Sequence, residues 1–263
     1  MTTLTNDSLL AVAERLGVQT LPLVLAVGPQ QDTFEAWQTA RDGAVAELTA
    51  RGVFDGYGDV DPGLADALFT LAKPEAELAA RSYRDDGQRR ICLARRGSRH
   101  AVATRTGSSF EISAPGIDGS DRELTRLLLA ALTACPQAEI STVSVAADDL
   151  ARRLDAATTT SDYVDAMYAL GIDAHEATVL GAAFASCHGY TEITASVHHD
   201  GLTTRAPGAV AVYDTARGRI VVAPMTAPDG QVWSTITPGT DHRLSQAVGA
   251  LLEGLPGGGW QPV

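Results

Sequence analysis

Asp121-Arg122-Glu123-Leu124 and Asp241-His242-Arg243-Leu244 open two stretches that read alike. Beyond the first come Leu124, Leu127, Leu128, Ala131, Leu132 and Cys135. Beyond the second, Leu244, Ala247, Val248, Leu251, Leu252 and Leu255 fill the same places. Both sets follow the spacing of one apolar stripe on an amphipathic helix. Each run ends at a proline, Pro136 or Pro256, and each follows a Pro-Gly turn, Pro115-Gly116 or Pro238-Gly239. A repeat this long, offset by about 120 residues, predicts two related halves of a single domain packed about a quasi-two-fold axis. The halves are 1–136 and 137–256, and 257–263 reads as a flexible tail. Such a design argues against one asymmetric catalytic cleft.

Working outward, the first half reads as an opening helix (Asp7 to Leu16), a buried strand (Leu21 to Val27) and helices from Thr33 to Ala50 and Asp61 to Ala72. Four antiparallel strands follow: Glu77 to Tyr83, Arg90 to Arg95, Arg99 to Thr106 and Ser109 to Ser113. The leucine-rich helix closes the half, with Ser120 and Glu123 in capping-box spacing. The second half repeats this order. Ile140 to Val145 answers Leu21 to Val27, Asp162 to Leu170 and Ala174 to Cys187 answer the two helices, and Ala147 to Ala156 reads as an insertion without a twin. The expected class is α+β: a central twisted antiparallel sheet flanked by two helical bundles.

Composition narrows the function. The chain has 263 residues, 45% hydrophobic, with a net charge of -12 and one lysine, Lys73. So acidic a chain argues against duplex nucleic acid and against insertion into an anionic membrane. Cys92, Cys135 and Cys187 are too scattered for a disulfide framework or a metal pattern, so a reducing, cytoplasmic setting is expected. No signal peptide is read at the N-terminus.

Chemistry-bearing patterns are sparse. There is no nucleophile elbow and no phosphate loop. Cys187-His188 are sequence neighbours, and Cys187 falls on the apolar side of an expected helix end, so a buried thiol is the first reading. His198 and His199 point to opposite faces of a strand end. Trp37 and Trp233 are expected in the core. A small-molecule enzyme using Cys187 or a histidine site is the alternative; otherwise no catalytic residue, cofactor or metal is expected. The Arg84-Asp85-Asp86-Gly87-Gln88 turn reads first as a solvated hairpin tip and second as a contact loop.

Two stretches carry a resemblance to a known family. One is Arg219-Ile220-Val221-Val222-Ala223-Pro224, continuing through Asp229-Gly230-Gln231-Val232-Trp233, Pro238 to Leu244, Leu252-Glu253-Gly254-Leu255-Pro256 and Trp260. The other is Thr20 to Leu25 with Leu48 to Val53 and Leu71-Ala72-Lys73-Pro74. In order and spacing they resemble the EspG family of mycobacterial type VII (ESX) secretion chaperones, over nearly the whole chain. The resemblance implies a non-catalytic cytoplasmic chaperone that holds a PE–PPE heterodimer soluble by its PPE helical tip. It implies contacts from the second-to-third strand hairpin, Arg84, Asp85, Asp86, Gly87 and Gln88. It adds the sheet face and the C-terminal bundle, through Asp162, Asp165 and Tyr168; the second-half hairpin, with His199, Leu202 and Thr204, is a further contact candidate by its greater length. A monomer is expected, with a homodimer left open.

Overall fold

In the computed structural model, the structure describes residues 1–227, 229–257 and 260. The chain runs β1 (Thr2–Thr5), α1 (Asn6–Arg15), α2 (Phe34–Ala50), α3 (Pro62–Ala72), β2 (Ala76–Arg84), β3 (Gly87–Arg96), β4 (Arg99–Thr106), β5 (Ser109–Ser113) and α4 (Asp121–Ala131). It continues with β6 (Val143–Ala146), α5 (Ala147–Ala156), α6 (Thr160–Ala169), α7 (Ala174–Ala185), β7 (Cys187–His199), β8 (Leu202–Arg205), β9 (Val210–Thr215), β10 (Gly218–Thr226), β11 (Val232–Pro238) and α8 (Asp241–Glu253).

Helix starts follow capping chemistry. Thr5, Thr33, Asp61, Ser120, Thr159, Asp173 and Thr240 each accept a backbone N–H of the first turn. The strands form one antiparallel sheet in the order β1-β5-β4-β3-β2-β7-β9-β10-β11-β6, with β8 attached to β7. From the central β2–β7 pair, each side steps outward through four more strands in the same chain order.

Alternation along the strands sorts the core into two layers. Leu78, Leu93, Ile193 and Val212 face α4 and α8, which cover the middle of one side. Cys92, Ala94, Ala101, Ala103 and Ile112 face α1, α2 and α3 at one end of the other side. Ile220, Val222 and Ile236 face α6 and α7 at its far end.

Several sequence expectations need correction. Leu21 to Val27 is not a strand: Leu23–Leu25 is a 3₁₀ turn, and Ala26 takes a left-handed φ of 47°. Pro22 before it donates no N–H to a ladder. The first strand is Thr2–Thr5, which pairs with β5 and runs directly into α1. In the second half β6 starts at Val143 rather than Ile140, pairs with β11 and runs directly into α5. Thus α5 follows an edge strand directly, as α1 does.

The helix expected to reach Cys187 ends at Ala185. Cys187 instead opens β7 and is exposed, not buried. Trp37 and Trp233 are only half-buried, and Trp37 stacks on the exposed Phe34 at 5.5 Å. Of the expected tail, 258, 259 and 261–263 lie outside the described residues. Trp260 within it is buried among the α4/α8 core and stacks on His100 at 6.2 Å.

Close helix packing marks the second bundle. A Cβ on Gly181 of α7 would lie 2.6 Å from both the Cα and N of Val164 in α6, backbone atoms that cannot step aside. Gly181→Ala is therefore expected to destabilise the protein by about 1–3 kcal/mol, measured as a lower denaturation midpoint. An unchanged midpoint would show that the two helices are free to spread.

Candidate partner-binding groove

The register fixes which side chains meet at the centre of the sheet. Glu77, Ala79 and Arg81 of β2 stand opposite Ser196, Thr194 and Glu192 of β7. Ala79 packs against the first bundle's core, so this row shares the face that carries both bundles. The bundles occupy the ends of that face, and the middle stays open. The result is a groove of about 790 Å³. Leu21, Pro22, Leu23, Val24, Leu71 and Pro74 form one wall, the six floor residues and His198 lie beneath, and Thr203 and Arg205 of β8 close the other wall.

The floor is polar and the first wall apolar. Arg81 Nη1 lies 4.0 Å from Glu192 Oε2. Burial raises the Glu77 carboxyl above its ordinary range, partly offset by the Arg205 and Arg81 charges. Burial also holds His198 below the ordinary imidazole value. His198 Nδ1 is 3.0 Å from Thr203 Oγ1, and its Nε2 is 3.7 Å from Glu77 Oε2, too far for a hydrogen bond. Leu23 is 86% exposed at the lip, an apolar side chain of that size left in water beside a concave surface.

An aromatic chain leads from β2 and β7 into the second bundle. Tyr83 stacks on Tyr190 at 6.4 Å, Tyr190 tilts on Tyr213 at 5.1 Å, and Tyr213 meets Phe184 of α7 edge-on at 5.1 Å. The resemblance implies contact through the sheet face but singles out none of these floor residues. The available signal was the alternation Glu77-Ala79-Arg81-Tyr83, where one face of a central strand stays polar.

The residues singled out from the sequence fall into three separate places. At the β2–β3 turn, Asp85, Asp86 and Gly87 are exposed, with Gly87 at a φ of 126°. Gln88 accepts from Arg90 Nε at 2.9 Å. Arg84 is turned inward, donating from Nη1 to Asp214 Oδ2 at 2.7 Å, so its charge is committed within the chain. On the β7–β8 arm, His199, Leu202 and Thr204 are exposed, Leu202 by 73%. This arm adjoins the groove, since β8 supplies one wall.

On α6, Asp165 and Tyr168 are exposed, and the Tyr168 hydroxyl donates to Ala174 O at 3.3 Å. Asp162 is occupied as a cap: its Oδ2 accepts from Thr158 N, Thr158 Oγ1 and Thr159 N. These bonds pull its pKa down to about 2. The folded value lies below the unfolded one, so the contribution is full above about pH 3.9. It is lost as pH falls through about 2. Asp162→Asn is accordingly expected to flatten the acid limb of the stability profile in that window. A profile matching the wild type would remove the capping account.

The alternative chemistry gains no support from placement. The Cys187 thiol donates to Gly189 O at 3.2 Å, and although the residue as a whole is exposed, desolvation by the chain packed around its sulfur, foremost, pushes its pKa up. The side chains of His198 and His199 diverge, His199 lying 3.2 Å from Asp200 Oδ2. Among the described residues no three His, Cys, Asp or Glu side chains converge to hold a metal ion, and no helix is long and apolar enough to cross a membrane.

A family model described as the EspG family matches residues 5–250. The chain belongs to the EspG family. Among curated relatives, the ESX-1 secretion-associated protein EspG1 of Mycobacterium tuberculosis (strain ATCC 25618 / H37Rv) is 31% identical over 97% of this chain and 88% of its own length. The ESX-3 secretion-associated protein EspG3 of Mycolicibacterium smegmatis (strain ATCC 700084 / mc(2)155) is 31% identical over 98% of this chain and 88% of its own. The fold matches that of the Mycobacterium tuberculosis type VII secretion system chaperone EspG5, solved in complex with a PE25–PPE41 dimer. The TM-score is 0.82 at 19% identity, covering 99% of this chain and 98% of that one. The α+β architecture read from the sequence is thus that of an EspG protein.

Proposed function

We propose that this EspG-family protein is a cytoplasmic chaperone that binds PE–PPE heterodimers and directs them to a type VII secretion system. The helical tip of the PPE subunit docks in the groove between the two bundles. The observation that carries this reading is the groove itself: an open stretch of sheet with a polar floor, an apolar wall from Leu21 to Val24 and the end of α3, and the β8 arm as its other wall. EspG5, which shares the fold, was solved with a PE–PPE dimer bound. An exposed apolar tip aggregates or meets wrong partners. Covering it yields about 25 cal/mol per Å² before association costs are subtracted. The floor charges then reject tips whose polar groups do not match. The β8 arm, with Leu202 outermost, and the exposed face of α6 at Asp165 and Tyr168 form the rim. No chemical step is required, and the protein acts by stoichiometry.

The test is co-expression with PE–PPE pairs from the same genome, followed by size-exclusion chromatography with mass determination. The expected species is a heterotrimer with one copy of each protein. Thr194→Trp, which fills the groove floor, is expected to weaken the complex at least about tenfold, or 1.4 kcal/mol, while leaving the circular dichroism spectrum unchanged. Wild-type affinity in that variant would move the docking site off the sheet. Failure of every pair to bind would sink the chaperone reading.

A further inference from the structure

Arg81, Arg90 and Arg105 are successive cross-strand partners on β2, β3 and β4. Three guanidiniums therefore share one row on the face that carries the groove. Like charges directly opposite on a sheet repel. The row meets a counter-charge only at Arg81, beside Glu192. Among the described residues, Arg90 and Arg105 form no ion pair, in a chain whose net charge is -12.

Neutral oxygens hold them instead. Arg90 donates from Nε to Gln88 Oε1 at 2.9 Å and from Nη1 to Val24 O at 3.2 Å. Arg105 donates from Nε to Gly107 O at 2.8 Å and from Nη1 to Leu25 O and Ala26 O. The Arg105 guanidinium also sits over the Phe110 ring, 5.2 Å from its centroid. A guanidinium carries five N–H donors, and the Nη2 group of each arginine has no partner among the described residues. Neither Nη2 is sealed from solvent. Both side chains line a cavity of about 350 Å³, together with Gln88 and the turns at Gly87 and Gly107. Asp86 is at its edge, with its carboxylate 72% exposed and 4.0 Å from Arg84.

We infer that this cavity is an oxyanion site, in which Arg90 and Arg105 grip a phosphate or carboxylate through their Nη2 groups. Holding the carbonyls of Val24 to Ala26 explains the donors already used. It does not explain two adjacent unneutralised guanidiniums, pinned in place with accessible donors left over. Each Nη2 keeps two N–H donors on a side chain fixed by its other nitrogens, and two such groups side by side suit planar or tetrahedral oxyanions. The anion is either free in solution or a carboxylate on a partner docked in the adjoining groove, which Arg81 also lines. The second source rests on the chaperone reading; the site does not.

The test titrates the full chain with sodium phosphate and, at matched ionic strength, sodium chloride, following the melting temperature. The expected result is a saturable rise of several degrees with phosphate alone. That rise should vanish in Arg105→Gln, and its half-saturation concentration should increase at least about fivefold in Arg105→Lys, which keeps the charge and loses the fixed Nη2 donors. Phosphorus NMR line broadening on the wild type gives the same reading if a variant fails to fold. Equal effects of phosphate and chloride on the wild type, or an undiminished phosphate response in a folded Arg105→Gln, would overturn the site. Complex formation with a PE–PPE pair in phosphate then identifies the source: competition points to a carboxylate of the partner, and indifference to a free anion. If no pair binds, the chaperone reading fails and the phosphate titration still decides the site.

Discussion

Asp214→Asn is expected to destabilise the protein by about 3–5 kcal/mol, as a lower denaturant midpoint at unchanged slope. Asp214 is buried between two arginines. It accepts from Arg219 Nε at 2.7 Å and Nη2 at 3.2 Å, and from Arg84 Nη1 at 2.7 Å. The side chains of Arg219 and Arg84 are only 5% and 15% exposed. Removing the carboxylate charge leaves two guanidiniums facing each other away from water, the costly way to break a buried pair. Arg84→Gln is expected to lose less, about 1–3 kcal/mol, because Asp214 keeps both bonds from Arg219. The opposite ranking would show that the hairpin end, rather than the buried acid, holds the joint. The joint matters because it ties together parts of the chain that are far apart in sequence. Arg84 ends β2, Asp214 and Arg219 belong to β9 and β10, and Arg219 Nη2 also donates to Thr133 O beyond α4 at 2.7 Å.

Phe110→Ala is expected to lose a comparable amount, about 3–5 kcal/mol. Phe110 on β5 is fully buried in the core beneath the first bundle, so truncation leaves a cavity that rigid neighbours fill only in part. The loss reaches further than stability. Arg105 rests on the Phe110 ring and holds the carbonyls of Leu25 and Ala26. Those residues follow Leu23 and Val24, which form the groove wall. Partner affinity in Phe110→Ala should therefore fall even at temperatures where the variant is fully folded. Phe110→Leu, which fills more of the space without the ring face, separates the two effects. If affinity is intact in both, the ring has no role in setting the wall.

The architecture was legible where local chemistry and periodicity agreed. The stripes of α4 and α8, the caps at Ser120 and Asp61 and the hairpin glycines place their elements, though α4 stops at Ala131 and leaves Leu132 and Cys135 of its expected stripe beyond the helix. Leu21 to Val27 misled because an apolar run of that length has no period: Pro22 and the left-handed Ala26 decide for a turn. Thr2–Thr5 is too short and polar to announce a strand, and only its pairing with β5 makes it one.

The candidate site was harder to read. Exposed turn residues such as Asp85 and Asp86 are visible as hydrophilic loops in any sequence. The groove floor comes from β2 and β7, which are far apart in the chain and meet only through the register. Arg84 and Asp162 look like free surface charges, and distant or local hydrogen bonds consume both.

The two halves of the sheet are stitched by a single seam, the nine residue pairs from Ala76–Val197 to Arg84–Gly189. Each bundle is fastened to strands on its own side of that seam. The gap between the bundles is therefore a caliper opening, and the local twist of β2 against β7 is its setting screw. Leu78 and Ala195 face each other across the seam on the side that α4 and α8 cover, out of reach of anything in the groove. Changes there reset the width of the jaws without touching what they hold. Two chains with the same groove floor but different residues at these two places would then present jaws of different width.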